Sequence, residues 1–548
     1  MTAAMTRRPP LNLRFLPVLF LSCWLRNNTE AATATSSSPS SASCIPLSGI
    51  EPGGGVDTLD FDSIVATLGA KDIFDLSIPI IPAVATCSSV LETPVSMRHL
   101  LAIDAAAFSV SNMFRPGEVA LDIFGDKETS DARRRCQPED VEESALFDVH
   151  LNVAIAYTIV YGGLKGMPDC LDVVELINDA GMPLSFVLSG ETSIDTPWGL
   201  AKAYVDEAFA YMDENDGWNA DGSLSREYNR VPFDDFSITD AAGNSWTPYV
   251  PQNSVYQFLN TERWQPLRES NDLGYFSAQE HVTPYIGVTA RFYGFYTLED
   301  EEAFASRTVE NPNYQYAVEA LKVLRESRAT AEDELKGAYV SFFDNKFTSL
   351  VPLKIAYFTR PSTTQTNLDF YRLTLEVQLA IYNGVVLSWR EKIRHDLPRP
   401  PSIIKDALGD KLFWAYAGAD DGVERMKASE WEPFIRTMPH SEFPSASACL
   451  CQTYADQIVH FLGNDTINPP LEFEAFEFSS WSEISAVCGD SRVWGGLHFE
   501  ASVPAGAELC GGSPMAVSIF ASVDGLVHGD KTAAIFQRDV GELLIRPL

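Results

Sequence analysis

Basic residues and long apolar runs are scarce in this chain of 548 residues. It has 40 Lys and Arg against 75 Asp and Glu, which gives a formal net charge of −35 at pH 7. A field of this sign repels nucleic acid and anionic lipid at long range, so we expect no nucleic-acid partner. Beyond the N-terminal segment we identify no apolar stretch of about 18 residues or more, and we therefore expect no membrane span.

The chain also lacks the short motifs of several common enzyme classes. There is no Walker loop for nucleotide phosphates, no Gly-x-Ser-x-Gly nucleophile elbow and no His-Glu-x-x-His zinc motif. Hydrophobic residues make up 45% and charged residues 21% of the sequence. These proportions are typical of a soluble globular protein and argue against a disordered, fibrous or coiled-coil chain.

The N-terminus has the pattern of a secretory signal peptide over residues 1–31. Arg7, Arg8 and Arg14 precede an apolar run at residues 15–25, and small residues follow at 31–34. A basic segment, an apolar core and small residues in this order are typical of a cleaved leader. An organelle transit peptide or a retained anchor is the alternative. We expect a secreted or extracellular protein.

Cleavage after residue 31 would leave eight of the nine cysteines. An even number suits disulfides in an oxidising compartment. The pairing cannot be read from the sequence, although Cys488 with Cys510 is the pairing that we favour for these chain neighbours. For Cys449 and Cys451, a disulfide is favoured over a metal half-site in a secreted chain. The sequon Asn464-Asp465-Thr466 predicts N-glycosylation.

Composition divides the rest of the chain into a linker and two helical parts. Residues 32–55 are rich in Ser, Ala, Pro and Gly, which is typical of a flexible linker. Beyond them, apolar residues recur with the period of a helix and strand alternation is scarce, so we predict an all-α fold. We place an N-terminal mainly helical part at 56–300 and a C-terminal helical part at 301–548. The predicted helical segments are 146–164, 171–178, 198–212, 314–343, 368–394, 447–462 and 493–503, and the predicted irregular segments are 231–284 and 355–367.

Three blocks in the C-terminal part combine cations, a hydroxyl and an imidazole. The first block contains Lys392 and Arg399. Lys392 lies near the end of a long amphipathic helical pattern, and the prolines at 398, 400 and 401 favour an extended path that can return Arg399 to the same space. Two cations can therefore meet one anion here.

The second and third blocks add neutral donors and an imidazole. In the second, Pro444 and Ser445 precede a helical pattern, which predicts a hydroxyl and free N–H groups at a helix N-terminus, where an oxyanion is favoured. In the third, two adjacent glycines lie between Arg492 and His498. Because glycine lets the backbone turn tightly, we expect this guanidinium and this imidazole to reach one centre.

Together, and in this order, the blocks resemble the vanadium-dependent haloperoxidases and their relatives, the type-2 phosphatidic acid phosphatases and bacterial acid phosphatases. The family pattern is Lys-x6-Arg-Pro, then Pro-Ser-Gly-His, then Ser-Arg-x5-His, and the first and third parts are intact here. The resemblance covers roughly residues 145–510. It implies the all-α, helical-bundle architecture of this superfamily and vanadate as cofactor.

The resemblance also implies a role for each block. His498 would be the single protein ligand to vanadium, and it would be the nucleophile towards phosphorus in a phosphatase. In a haloperoxidase, hydrogen peroxide and halide are the substrates, and hypohalous acid is released towards a small organic acceptor. The residues that would hold the oxygens of bound vanadate are Lys392, Arg399, Ser445, the N–H of Ala446 and Arg492.

The sequence departs from the family pattern where Pro-Ser-Gly-His is expected. Ala446 replaces the glycine, and its methyl group would narrow the pocket. Ser447 replaces the histidine that transfers protons in the family, and a hydroxyl cannot act as a general acid near neutral pH. We therefore expect oxyanion binding to survive and turnover to be reduced or altered.

Two further observations concern histidines. The family usually carries Asp four residues after the last His, and this chain has Ser502 there, so His498 must be oriented by another group. His395 and His440 lie in the same blocks and are alternative proton carriers, although we interpret both as surface-loop histidines.

The sequence therefore supports three hypotheses. The first is a vanadate-dependent haloperoxidase-like enzyme with Lys392, Ser447 and His498 at the reacting centre. The second is a secreted acid phosphatase that uses His498 as nucleophile. The third is a non-catalytic oxyanion-binding descendant. All three place Lys392, Arg399, Ser445, Arg492 and His498 in one pocket.

Overall fold

The structure is a computed structural model that describes residues 80–529, apart from gaps at 86, 88–91, 116–122, 124–132, 137–140, 167–192, 217, 219–237, 240–244, 247–248, 271–275, 345, 361–364 and 419–420. The predicted signal peptide, the predicted linker and the helix predicted at 171–178 lie outside the described residues. The boundary that we predict at 300/301 stays a prediction.

Helices dominate the described residues, which confirms the predicted all-α class. The helices are α1 (Thr93–Asn112), α2 (Val141–Gly166), α3 (Pro197–Asn215), α4 (Ile286–Thr289), α5 (Leu298–Ala305), α6 (Tyr316–Ala331), α7 (Glu334–Phe342), α8 (Lys346–Phe358), α9 (Asn367–His395), α10 (Pro400–Leu408), α11 (Ala446–Leu462), α12 (Trp481–Trp494), α13 (Ser502–Cys510) and α14 (Ser513–Val527).

The described strands form four small antiparallel hairpins. Their strands are β1 (Ile238–Thr239), β2 (Ser245–Trp246), β3 (Arg268–Ser270), β4 (Phe276–Ala278), β5 (Leu412–Gly418), β6 (Gly422–Lys427), β7 (Thr466–Glu472) and β8 (Glu477–Ser480). Pairing is β1 with β2, β3 with β4, β5 with β6 and β7 with β8.

Helix α9 is the central element of the bundle. It packs against α1, which also contacts α2 and α3, and against α11, which also contacts α12, α13 and α14. A capping box between Thr366 and Asp369 starts the helix. The helix ends at Asp396, which adopts a left-handed conformation with φ 50°. Lys392 lies in the last turn, so the first cation of the candidate site is at the end of the central helix.

Local sequence signals also determine where the other helices that carry site residues begin. Arg399 is the N-cap of α10, and Pro400 occupies its first turn, as the fixed φ of proline favours. Ser445 is the N-cap of α11, where its Oγ accepts a hydrogen bond from the Ala448 N–H at 3.3 Å. Arg492 lies in the last turn of α12. The predicted position of Ser445 at the start of a helix is therefore confirmed, whereas the helix ends at Arg399 and Arg492 were not predicted.

Several predicted boundaries are wrong. The segment 493–503 is not one helix: α12 ends at Trp494 and α13 begins at Ser502. Gly496 breaks the helix because it adopts φ +79°, and a Cβ there would come within 2.8 Å of the Trp431 ring. The segment 314–343 is divided into α6 and α7, and residues 355–358 of the predicted irregular segment belong to α8.

The cysteines pair differently from our expectation for Cys488 and Cys510. The structure joins Cys449 to Cys510 and Cys451 to Cys488, so the favoured pairing is wrong. The preference for disulfides over a metal half-site at Cys449 and Cys451 is confirmed. Because both bonds start on α11, they fix this helix to α12 and α13, the two helices next to the third sequence block.

Our expectation that no later apolar stretch reaches 18 residues is also wrong. Among the described residues, the segment Ser502–Val527 is long and apolar enough to cross a membrane by length and composition alone. It comprises α13 and α14, and Gly511 and Gly512 separate them. Met515, Ile519 and Val523 of α14 are buried in the main core, as in a core helix of a soluble protein.

Candidate functional site

Lys392 connects the end of α9 to the segment that precedes α11. Its Nζ donates hydrogen bonds to three main-chain carbonyls, those of Ser441 at 2.8 Å, Glu442 at 2.9 Å and Pro444 at 2.6 Å. The side chain is fully buried. Because three carbonyl dipoles surround the ammonium group, its charge is stabilised away from water.

Arg399 joins the second and third sequence blocks. Its Nε donates to the carbonyl of His440 at 2.9 Å, and Nη1 donates to the carbonyl of Leu497 at 3.0 Å. Nη1 also lies 3.1 Å from Nε2 of His498, and Nη2 lies 3.0 Å from Nδ1 of His440. Since a guanidinium can only donate, both imidazole nitrogens accept. Burial lowers the pKa of Arg399 to about 10, so it stays charged near neutral pH.

His498 lies between this guanidinium and a carboxylate. Its Nδ1 is 2.9 Å from Oε1 of Glu442, which also accepts the Phe499 N–H at 3.0 Å. Oε2 of the same carboxylate accepts from the Tyr314 hydroxyl at 3.2 Å. Burial raises the pKa of Glu442, while the charges of Arg399 and Lys392 oppose that rise. The carboxylate accepts a hydrogen bond from Nδ1–H of His498, and the lone pair on Nε2 of His498 faces the positive charge of Arg399.

Arg492 contributes a third buried guanidinium. Its Nη1 donates to the carbonyl of Phe343 at 2.6 Å. Within the described part of the chain, its Nε is buried and has no hydrogen-bond partner. Burial lowers its pKa to about 10, and its charge in turn helps to lower the pKa of Arg399. An unpartnered buried donor is costly, so this N–H is a natural partner for an anion.

Ser445 and the two residues that follow form the start of α11. The Ser445 N–H donates to the carbonyl of Ser502 at 3.0 Å, which fixes the start of α11 against the start of α13. Gly506 permits this close approach, since a Cβ there would come within 2.1 Å of the Ser445 carbonyl oxygen. Ala446 and Ser447 are buried in the first turn, where N–H groups have no acceptor within the helix.

The structure thus brings the three sequence blocks together, although by different kinds of contact. Arg399 and His498 are in direct hydrogen-bond contact, and Lys392 and Arg399 both bind the segment 440–444. Arg492 acts on Arg399 through its charge, and Ser445 follows Pro444, whose carbonyl binds Lys392.

The interpretation of His395 and His440 as surface histidines is wrong, because both are buried. His440 packs against the Trp389 ring with 4.7 Å between centroids. Burial and the charges of Arg399 and Lys392 lower its pKa well below 6.5, so it is neutral. His395 contacts the carbonyl of Val309 at 3.0 Å and contributes to the packing at the end of α9.

Sequence reasoning missed three residues around the site. Glu442 lies within the second block and had a recognisable signal, since it is a carboxylate two residues before Pro444. Tyr314 and His281 had no motif signal. Nε2 of His281 accepts the Ser441 N–H at 3.1 Å, and burial lowers the pKa of His281 to about 3.

These residues fit vanadate by the chemistry of their donors. Three cations and one carboxylate leave the cluster with excess positive charge, and Arg492 has a buried donor without an acceptor. Among the described residues, no group of three or more His, Cys, Asp or Glu could hold a metal ion. To hold an anion, Lys392 and Arg399 would exchange or share their present carbonyl acceptors.

Comparison with known proteins finds a matching family model and several structures with a similar fold. Residues 372–522 match the family model described as the VCPO second helical-bundle domain. An apo-type bacterial vanadium-dependent chloroperoxidase has TM-score 0.64 and 21% identity, covering 80% of this chain and 95% of its own. The corresponding values for a holo-type bacterial chloroperoxidase are 0.62, 19%, 86% and 97%, and for a bacterial vanadium-dependent iodoperoxidase 0.50, 14%, 84% and 95%.

No curated protein sequence matches the chain. The domain match and the structural neighbours nevertheless confirm the resemblance expected from the three sequence blocks. The chain has the helical-bundle fold of the vanadium haloperoxidase superfamily.

Proposed function

We propose that this protein binds vanadate and is a haloperoxidase-like enzyme that uses hydrogen peroxide to oxidise halide to hypohalous acid. The observation that carries the proposal is the arrangement around His498. Glu442 accepts at Nδ1, while the Nε2 lone pair faces the Arg399 guanidinium. An imidazole held at one nitrogen presents the other to a single electrophilic centre.

The kinds of protein that share the fold favour peroxide chemistry over phosphate hydrolysis. The structural neighbours are chloroperoxidases and an iodoperoxidase, as named above. A secreted acid phosphatase remains the second candidate, because the same Nε2 lone pair could attack phosphorus and the same cations could hold phosphate. The two candidates differ in whether vanadate activates or inhibits.

Each residue of the cluster would have a specific task. Lys392, Arg399 and Arg492 would neutralise the oxyanion, and Ser445 with the first N–H groups of α11 would orient it. When bound, vanadate would supply a Lewis acid that makes peroxide reactive towards halide. The burial of all three cations excludes bulk water, which strengthens each of these charge interactions.

The side chains at this site are poorly suited to transfer protons. Ser447 cannot act as a general acid near neutral pH. The pKa of His440 lies well below 6.5 and its Nδ1 already accepts from Arg399, so near neutral pH it is neither an acid nor an effective base. We therefore propose an enzyme of low turnover rather than one with a replacement acid.

Activity assays in matched pairs test this function. Metal-free protein is assayed with hydrogen peroxide and chloride, bromide or iodide, with and without orthovanadate, and separately with p-nitrophenyl phosphate. We expect halide oxidation only with vanadate. Phosphate release that vanadate inhibits would favour the phosphatase instead, and neither activity, with vanadate still bound, would favour an oxyanion-binding descendant. Lys405→Ala is the control for Lys392→Ala, because Lys405 is an exposed lysine on α10.

We also propose that the protein is secreted after removal of residues 1–31 and is glycosylated at Asn464. Asn464 is exposed, and its Oδ1 accepts the Thr466 N–H at 3.0 Å. N-terminal sequencing of protein from the culture medium should begin near residue 32. Treatment with an N-glycosidase should lower the mass of the wild type and not of Asn464→Gln.

A further inference from the structure

We propose that Glu442 is the positioning residue of this site: it fixes the tautomer of His498 and supplies the carboxylate that the family pattern places four residues after the histidine. The proposal deepens the proposed function, because it concerns the same His498. The location of the proton on the His498 imidazole, however, is a property of the protein without any cofactor.

The main chain and the side chain of Glu442 are both held. Its N–H donates to the carbonyl of Leu397 at 2.9 Å, and its own carbonyl accepts from Lys392 at 2.9 Å. Its carboxylate receives three donors, as described above, from His498, Phe499 and Tyr314. The side chain is fully buried. Glu442 therefore cannot turn away from the imidazole without losing several buried hydrogen bonds at once.

The position of this carboxylate determines which nitrogen of His498 is reactive. Oε1 of Glu442 already accepts the Phe499 N–H, and the Arg399 guanidinium can only donate to Nε2, so the proton of the neutral imidazole lies on Nδ1. Nε2 then has its lone pair free to accept from Arg399 or to bind an electrophile. Without Glu442, Nδ1–H would lose its acceptor and only the Arg399 donor at Nε2 would favour this tautomer, so the second tautomer, which is not competent, would become populated.

Position 502 explains why the carboxylate comes from another segment. Ser502 is the first residue of α13, four residues after His498, and it is buried. A serine hydroxyl carries no negative charge and cannot replace the missing Asp. Glu442 is 56 residues before His498, yet the Lys392 and Arg399 contacts bring segment 440–444 against the third block. The same carboxylate function is thus supplied from a different segment of the chain.

The test is imidazole nitrogen NMR on the full-length, vanadate-free protein labelled with 15N-histidine. The His498 signals are assigned by their loss in His498→Gln. We expect wild-type His498 to carry its proton on Nδ1, Glu442→Asp to keep that tautomer, and Glu442→Gln to give a mixture. A wild-type signal with the proton on Nε2 would overturn the proposal, and this result requires only the assignment variant His498→Gln and no Glu442 variant.

Vanadate titration by calorimetry provides the second measurement. We expect Glu442→Gln to weaken vanadate binding about 10- to 100-fold, as is common when the hydrogen-bond partner of a metal ligand is lost. Glu442→Asp should lie between the wild type and Glu442→Gln. Equal tautomers and equal affinities for the wild type and Glu442→Gln would contradict the positioning role. If wild-type protein shows the expected tautomer and binds no vanadate, the proposed function fails while the role of Glu442 stands.

Discussion

The candidate site and the pair Asp104 and Lys354 both place opposite charges inside the protein, but they stabilise those charges differently. In the site, main-chain carbonyls, imidazoles and hydroxyl or amide donors surround each charge. Lys354, in contrast, donates to the Thr374 hydroxyl at 2.7 Å and lies 5.2 Å from the centre of the Phe370 ring. In the described part of the chain, Asp104 has no hydrogen-bond donor.

The surroundings of the pair are mostly apolar. Asp104 on α1 and Lys354 on α8 line a cavity of about 60 Å³, together with side chains such as Leu100, Ile103 and Val377. Burial raises the pKa of Asp104 to about 7 and lowers that of Lys354 to about 8, although each charge opposes the shift of the other. A buried charge is therefore retained where polar groups surround it and becomes easy to neutralise where they do not.

The largest expected effect is on vanadate binding. His498→Ala should abolish tight binding because it removes the only proposed coordinate bond, while Lys392→Ala should only weaken binding because other cations remain. Calorimetric titration decides, and Lys354→Met, which alters a buried cation outside the site, is the control that should bind as the wild type does. Equal small losses in the His498 and Lys392 variants would contradict the assigned roles.

The second-largest expected effect is on turnover, because Ser447 replaces the histidine that transfers protons in the family. Ser447→His should raise the rate of halide oxidation by about 10², the lower end of what general acid–base assistance contributes. The added imidazole would lie in the first turn of α11, where the helix dipole favours its neutral form. Vanadate affinity should change little, and Ser447→Ala should match the wild type. A Ser447→His variant that is no faster between about pH 5 and 8 would show that the missing histidine does not limit this protein.

The third effect compares the two buried lysines directly. Lys392→Met leaves three buried carbonyls without a donor, and each such loss costs about 1–3 kcal/mol, so we expect a loss of about 3 kcal/mol or more in the free energy of unfolding. Lys354→Met should cost less than about 1 kcal/mol at pH 5.5, because Asp104 can remain protonated there and no unpaired charge results. Denaturant unfolding at that pH measures both, and equal costs would refute the comparison.

The sequence predicts features that depend on neighbouring residues, and it does not predict features that depend on contacts between distant segments. The end of α9 and the start of α11 depend on local signals, the prolines after Lys392 and the pair Pro444 and Ser445, so the sequence predicts the positions of Lys392 and of the N-cap correctly. Glu442 is recognisable as a carboxylate near Pro444, but its role depends on a contact across 56 residues that the local sequence does not encode. Disulfide pairing failed for the same reason, since both partners of each bond are set by how α11 packs against α12 and α13.

The helix predicted across residues 493–503 failed for a different reason. The apolar period continues through this segment, but Gly496 needs a positive φ to pass the Trp431 ring. Trp431 is 65 residues earlier in the chain, so the requirement appears only in the folded protein. This break is functionally important, because it leaves His498 in a turn between α12 and α13, from which it reaches both Arg399 and Glu442.

The smallest expected effect is a pH dependence of stability that originates in the pair rather than in the site. Between pH 3.8 and about 7, the unfolded chain has lost the Asp104 proton while the folded protein retains it, so the contribution of Asp104 to stability falls as the pH rises. Between about 8 and 10.5, unfolded Lys354 holds its proton while the folded protein has lost it, so stability rises with pH there. The pair should therefore contribute least between about pH 7 and 8. Denaturant unfolding should show a decline of about 2 kcal/mol from pH 5 to 7. In the double variant Asp104→Asn, Lys354→Met, this part of the profile should be flat, and a profile unchanged from the wild type would assign the pH dependence to other groups.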